Sequence, residues 1–294
     1  MFAANGPRQW RAMNMILGLA HFCEQHGPSI VFCTQAIPED YAGQTGLTPS
    51  TSTAAATAAN STCAACAFTV PKSLGLTTTD AKGVAIIAPP VLRTTDPESD
   101  ASGGKMNYMS MRYPKSHLRY TALRQACVRG LSCELLPGRS GPVMFGDPEA
   151  GYAIAHVFRL PDPRARGSNR FYSLIALFED DAAAAAAWTF VTERFAALVE
   201  HIRSRARTAT TAQSTTQGIG TRPEGFLRRR EGTTIPRGLP ELTGLDDVFV
   251  QMHASFAWML SILRKRWEGP AEYDSAVTES TIGPGKDGEV GDIT

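Results

Sequence analysis

The chain has 294 residues, enough for one large domain or two small ones. Its 29 Lys and Arg nearly cancel its 28 Asp and Glu, which excludes the global basic field that bulk nucleic-acid binding needs and leaves only local electrostatics. No stretch approaches about 18 uninterrupted apolar residues and no charged-then-apolar export pattern opens the chain, so a soluble, intracellular protein with its six cysteines reduced is expected.

Residues 1–13 read as a mobile leader. Met15 to Cys23 and Ser29 to Thr34 are short apolar runs separated by Gln25-His26-Gly27-Pro28, which is turn chemistry, so a β-hairpin is expected. Both runs are apolar at successive positions, which places the hairpin in mid-sheet with helices covering it. From about 38 to 115 Thr, Ser, Ala, Gly and Pro dominate, and the segment reads as a disordered insertion. One apolar island, Val84 to Leu92, interrupts it, but Pro89-Pro90 argue against a central strand.

Order is expected to resume at Ser116, read as a helix N-cap. Leu123, Ala126, Cys127 and Leu131 then share one helical face. Strands follow at Val143 to Phe145, Gly151 to Leu160 and Phe171 to Phe178. Asp180 and Asp181 favour a helix start, six alanines follow, and Trp188, Val191, Phe195, Leu198 and Ile202 recur at helical spacing. That helix is read as ending near Arg207, before a second polar connection over about 208–240. A last helix carries Leu245, Phe249, Met252, Phe256, Met259 and Leu263 and ends at Trp267, ahead of a disordered tail over 268–294. The folded domain thus spans 14–267 as an α/β sandwich with a five-stranded, mainly antiparallel sheet and helices packed on it, the element order of longin domains.

Few of the motifs point to self-contained chemistry. There is no GxSxG, HExxH, GxxxxGK[ST] or GxGxxG, and His156 and His253 fall inside regular elements as structural histidines. His21, Cys23, Glu24 and His26 cluster near the first turn, but on a strand the first two face one side and the last two the other, so convergence needs a bend. Cys63 and Cys66 have the spacing of half a zinc knuckle but are read without a completing CxxC or CxxH, hence as two thiols in a polar loop. The metal expectation is therefore none, with Cys63 and Cys66 as weak candidates.

Pro161 to Arg170 is the unusual stretch: it joins two apolar strands, carries Arg164, Arg166 and Arg170, and holds almost nothing suited to a core. A solvated charged loop is the plain reading. Nucleic-acid contact is disfavoured, because only Phe171 and Tyr172 adjoin as stacking aromatics. An arginine finger supplied in trans to a GTPase needs one forked, permanently charged guanidinium on a projecting loop, and such a finger is worth about 10³ to 10⁵ in rate.

A family resemblance runs through the same residues. Phe22-Cys23-Glu24, His26-Gly27-Pro28, Phe32-Cys33-Thr34, Cys63 with Cys66, Arg124-Gln125-Ala126-Cys127-Val128-Arg129, Leu131-Ser132-Cys133-Glu134, Pro137-Gly138-Arg139, Phe145-Gly146-Asp147, Ala165-Arg166-Gly167, Arg170 with Tyr172-Ser173, and His253 with Ser255-Phe256-Ala257-Trp258 resemble the longin domain of the folliculin family, in order, over residues 14 to about 267. Ser168-Asn169 departs from the more aromatic step of that pattern. The resemblance implies a longin domain pairing with that of a folliculin-interacting protein, in a complex that stimulates GTP hydrolysis by a Rag-type small GTPase in TOR signalling. GTP and Mg²⁺ would belong to the GTPase, so no cofactor is expected in this chain. It further implies a cytoplasmic protein recruited to the lysosome or vacuole surface through its partners, with Arg166 as the finger and Arg164 its local competitor. Family members also carry a C-terminal DENN domain, which this chain is expected to lack. The alternative is a non-catalytic longin adaptor scaffolding a heterodimer in signalling or membrane trafficking.

Overall fold

The computed structural model describes residues 15–39, 63–74, 77–79, 85–87, 90–96, 105–133, 141–216 and 236–268. The expectations for the leader at 1–13, for 40–62 and 97–104 of the long insertion, for 217–235 of the second connection and for the tail from 269 concern residues outside that set.

The expected hairpin is the centre of the sheet. β1 (Ile16–Cys23) and β2 (Gly27–Pro38) pair antiparallel from Ile16↔Gln35 to Cys23↔Gly27, with Gly27 at φ +72° closing the turn. A bulge at Leu19/Ala20 shifts their register. Val31 and Phe32 consequently pack into the same core, where strict alternation would have separated them. β7 (Gly141–Asp147), β8 (Gly151–Pro161) and β9 (Asn169–Phe178) form an antiparallel meander whose last strand returns to pair with β1. Gly151, at φ +88°, starts β8 where a Cβ would lie 2.4 Å from the Phe178 carbonyl oxygen, so only glycine fits.

The sheet has seven strands in the order β5-β6-β2-β1-β9-β8-β7, all antiparallel, against the five expected. The two extra strands, β5 (Leu92–Thr95) and β6 (Met106–Met111), come from the segment read as a disordered insertion. Every residue of β6 is buried. Its polar side chains find their partners only across strands and layers: Asn107 Oδ1 accepts from Arg93 Nε at 2.7 Å and from Thr95 Oγ1 at 2.8 Å, while its Nδ2 is buried without a partner among the described residues, and Ser110 Oγ lies 2.6 Å from Thr34 Oγ1. A short ribbon of β3 (Thr77–Thr79) and β4 (Ala85–Ile87) stands apart; of the apolar island at 84–92, 85–87 form β4, Leu92 opens β5, and 84, 88 and 89 lie outside the described residues.

Helices cover both faces, as the apolar strands require. α1 (His117–Val128) begins at Ser116, whose hydroxyl accepts from the Arg119 N–H, and lays Ala122, Leu123, Ala126 and Cys127, with Leu131 of the π-helical turn Arg129–Cys133 that follows it, on Ile16, Ala20, Ile175 and Leu177. On the opposite face lie α2 (Asp181–Thr216), α3 (Leu239–Thr243) and α4 (Val248–Glu268). Asp180 Oδ1 accepts from the Ala183 N–H at 2.7 Å and starts α2, whose Ala184, Ala187, Val191, Phe195 and Ile202 meet Leu174, Ala176 and Phe178 of β9. α2 runs nine residues past its expected end near Arg207. There Thr208, Thr210 and Thr211 turn their hydroxyls back to carbonyls one turn earlier, so they do not compete with the helix for its own backbone. By composition α2 is also apolar enough over one window to cross a membrane, but its apolar stripe lies against the sheet.

α4 follows its expected stripe from Phe249 on, while Leu245, expected within it, lies in the turn before Val248 and is only partly buried; Phe249, Met252, Phe256, Met259 and Leu263 are buried, each contributing about 1.5–3 kcal/mol by leaving water. It also explains why the end of the insertion is ordered. Arg264 Nη2 pairs with the buried Asp96 Oδ2 at 3.3 Å, Tyr108 and Ser261 donate to the same oxygen, and His253 bridges Ser110 Oγ at 2.7 Å and Thr94 Oγ1 at 2.8 Å. β5 and β6 are thus held by a helix about 150 residues later in the chain. The architecture is a longin-type α/β sandwich, extended at one edge by two strands.

Candidate functional site

The loop between β8 and β9 is short and tightly organised, because the strands stay paired up to Pro161↔Asn169. Its centre is Asp162, a fully buried carboxylate lying between Pro161 and Pro163. Oδ2 accepts from Arg170 Nε at 2.6 Å, Oδ1 accepts from the Arg164 backbone N–H at 3.1 Å, and Arg237 Nη1 approaches Oδ1 at 3.6 Å. Three backbone bonds close the loop on itself: Asp162 N–H to Ser168 O, Ala165 N–H to Asp162 O and Ser168 N–H to Ala165 O. The expectation that the loop holds almost nothing able to pack is corrected here, since Asp162, Ala165 and Arg170 are all buried.

The three arginines have separate fates. Arg170 is 3% exposed and belongs to the Asp162 pair. Arg164 is exposed and lies 3.8 Å from Glu241 Oε1, a carboxylate shared with Arg237 Nε at 2.9 Å. Arg166 is exposed, and among the described residues its guanidinium has no hydrogen-bond or ion-pair partner. Its backbone is nevertheless anchored, the N–H donating to Glu24 Oε1 at 2.5 Å. Gly167 (φ +74°) and Ser168 (φ +58°) follow in left-handed conformation and turn the chain back into β9 just beyond it. The result is one forked, unengaged cation on a braced loop.

Glu24 sits in the turn between β1 and β2, and that turn carries more than the loop contact. Cys63 and Cys66 are brought onto it, with Cys63 Sγ 3.5 Å from Cys23 Sγ and Cys66 Sγ 3.5 Å from His26 Nδ1. The bend that His26 needed is supplied by residues 24–26, which leave the strand at the turn. The completing CxxH that the sequence reading did not count is Cys23-Glu24-Gln25-His26. His21, fully buried, lies outside this group but places Nε2 3.5 Å from Cys66 Sγ and stacks on Tyr172 at 5.4 Å. The Cys66 contact, helped by His21, holds the Cys23 thiol well below its ordinary range against the opposing effect of burial, and the same contact with Cys23 raises Cys66. Beneath them burial pushes the Tyr172 phenol up and keeps it neutral.

Sequence reasoning missed Asp162, Arg237 and Glu241 as loop residues. A signal existed for part of this: Asp162 and Arg170 stand on a cross-strand diagonal at the mouth of a hairpin, and Arg237 with Glu241 has i, i+4 spacing. Arg237 itself comes from the connection read as flexible, so its arrival at Asp162 had no local signature.

Residues 106–263 match the family model described as "Folliculin: Vesicle coat protein involved in Golgi to plasma membrane transport". The chain is 30% identical over 292 residues to the folliculin of Rattus norvegicus and 30% over 294 residues to that of Homo sapiens, in each case covering 92% of this chain and 49% of the relative. It is 30% identical over 210 residues to the folliculin-like protein bhd1 of Schizosaccharomyces pombe, covering 53% of this chain and 57% of that protein. The chain thus spans about half the length of the curated relatives it matches first.

Proposed function

Since this chain belongs to the folliculin family, whose members share a signalling and trafficking role, we propose that it is the longin-type subunit of a GTPase-activating complex and supplies Arg166 in trans to a small GTPase of the Rag type. The observation that carries this reading is the contrast within one loop: Arg170 and Arg164 are engaged by carboxylates, while Arg166 projects from a fixed backbone with its guanidinium unengaged among the described residues. A finger must be held in position by backbone contacts and left free at its tip, so that its donors meet the charge that develops on the transferring phosphoryl group. The GTPase brings GTP, Mg²⁺ and the residue that orients water. This chain brings one forked, delocalised cation and carries out no chemical step of its own.

The partner in this reading is a folliculin-interacting protein, contributing a second longin domain. The open edge at β7, with Met144 46% exposed, offers unpaired backbone groups of the kind that sheet-to-sheet pairing uses. The assembly acts from the cytoplasm at the lysosome or vacuole surface, in nutrient signalling to TOR, and its membrane association runs through its partners.

The test is single-turnover GTP hydrolysis by a Rag-type heterodimer with this chain and its partner, comparing wild type, Arg166→Ala and Arg164→Ala. Loss of acceleration in Arg166→Ala alone, with GTPase binding retained, is the expected result. Acceleration that survives Arg166→Ala, or its absence in wild type, leaves the chain as a non-catalytic longin adaptor.

A further inference from the structure

The turn that anchors Arg166 is also one half of a four-ligand cluster. Cys23, His26, Cys63 and Cys66 present three sulfurs and one imidazole nitrogen, all within 4.8 Å of one another. The individual separations are Cys23 Sγ to Cys63 Sγ 3.5 Å, Cys63 Sγ to Cys66 Sγ 3.6 Å, Cys23 Sγ to His26 Nδ1 3.5 Å and Cys66 Sγ to His26 Nδ1 3.5 Å. A tetrahedron with Zn–S near 2.3 Å and Zn–N near 2.0–2.1 Å has edges of about 3.8 Å between sulfurs and about 3.6 Å between sulfur and nitrogen. These four of the six edges lie within about 0.3 Å of those values, equivalent to about 0.2 Å in metal–ligand distance, and the remaining two lie within 4.8 Å. A Cys63–Cys66 disulfide fits less well: its sulfurs would sit about 2.05 Å apart, and it would leave the convergence of Cys23 and His26 on the same point unexplained.

Local structure supports the same conclusion. Cys63 and Cys66 flank a single 3₁₀ turn, Ala64–Cys66, in which the Cys66 N–H returns to Cys63 O at 2.9 Å, so both thiols point to one side of a tight knuckle. Cys23 and His26 flank the β1–β2 turn in the same spacing. His21 Nε2, 3.5 Å from Cys66 Sγ, stands where an outer imidazole can donate to a coordinated thiolate. Three soft sulfurs and a nitrogen select zinc over the oxygen-seeking Mg²⁺ and Ca²⁺, and four protein ligands with no open position make the site structural.

We propose that Cys23, His26, Cys63 and Cys66 form a structural Zn²⁺ site that fastens the segment around residue 65 to the β1–β2 turn. On binding, each coordinating thiol passes its proton to solvent, three Zn–S bonds and one Zn–N bond form, and no oxidation state changes. The site adds a tie between pieces that otherwise meet through packing, Phe68 stacking on Phe32 at 5.0 Å and meeting Phe249 edge-on at 5.5 Å. The two half-sites are 40 residues apart in the chain, Ala64 O lies where a Cβ on Gly238 would be 2.7 Å away, and Glu24 inside the ligand turn holds the Arg166 N–H. The zinc site therefore sits under both the entry to α3 and the β8–β9 loop. It does not depend on Arg166 being a finger.

The test is metal content of the full 294-residue chain, purified reduced and without chelator, followed by exchange to Co²⁺ alone. About one zinc per chain is expected, and the cobalt form should show the thiolate charge-transfer and intense ligand-field absorption of a tetrahedral sulfur-rich site. Cys63→Ser and His26→Ala should lose the metal, while Cys127→Ala and His201→Ala keep it. The cobalt spectrum of the unmutated chain reads the ligand set even if a variant does not fold. A reduced chain that carries no zinc and takes up neither ion overturns the proposal, as does an octahedral cobalt spectrum or metal retained by both ligand variants. A zinc-free chain that still accelerates GTP hydrolysis leaves the finger standing, and a zinc-loaded chain that does not accelerate it removes the finger alone.

Discussion

Arg166 and Glu24 are 142 residues apart in the chain, yet the Arg166 backbone N–H donates to the Glu24 carboxylate at 2.5 Å. The contact ties the β8–β9 loop to the β1–β2 turn and leaves the arginine side chain outside the bond. Glu24→Ala should therefore leave stability within about 0.5 kcal/mol, since both residues are exposed, yet loosen the loop. Acceleration of GTP hydrolysis should fall by up to about 100-fold with GTPase affinity unchanged. Single-turnover rates beside a thermal melt check this, and unchanged rates would show that the loop holds its shape without the carboxylate.

Arg166→Lys keeps the charge but loses the planar fork, so it should behave like Arg166→Ala. Acceleration should drop by about 10³-fold or more, and binding should persist. If lysine rescues even a tenth of the rate, charge alone suffices and the geometric argument fails.

Asp162 carries the internal order of the loop. Asp162→Ala removes the acceptor for Arg170 and Arg237 and leaves a buried guanidinium uncompensated, which should cost about 3–5 kcal/mol in a denaturant titration. Asp162→Asn preserves an acceptor for the Arg164 N–H and should cost less. A loss under about 1 kcal/mol in the alanine variant would mean that water reaches the pair.

The two faces of the sheet are separate cores, and each should respond on its own. Leu123→Ala beneath α1 should cost about 2–5 kcal/mol and Phe256→Ala beneath α4 about 3–5 kcal/mol, because both side chains are fully buried. Their double variant should be close to additive, since the sheet lies between them. A strong coupling energy would show that the sheet transmits strain from face to face.

Burial lowers the His253 pKa below its ordinary 6.5, and the neutral ring is held between Thr94 and Ser110. The unfolded chain therefore takes up this proton first as the pH falls. Stability from His253 is complete above pH 6.5 and is lost as pH drops through the lower folded value. His156 shifts in the same direction, through burial and then Arg203, so both contribute to the slope. Melting temperatures between pH 7 and 5 should fall less steeply for His253→Gln than for wild type. An identical slope would assign the effect to His156 and the carboxylates.

Local pattern determined the elements that bury a continuous apolar face. The hairpin of β1 and β2, the Ser116 cap, the stripe of α1 and the long stripes of α2 and α4 all follow from periodicity, because a helix or strand states its buried side every few residues. The position of Arg166 beside a glycine on a hairpin loop was equally legible. What the pattern could not supply is which polar groups meet. β6 was lost among low-complexity neighbours because its Asn107 and Ser110 look like loop residues until Arg93, Thr34 and His253 arrive from elsewhere. Asp96 with Arg264, Asp162 with Arg237, and the Cys63 pair with Cys23 and His26 are likewise contacts between chain segments far apart. A single buried charge or thiol carries no period, so a distant partner is chosen only when the layers stack; Asp162 engages Arg170 within the loop itself, and it is the stacking of α3 that brings Glu241 to Arg164 and leaves Arg166 projecting.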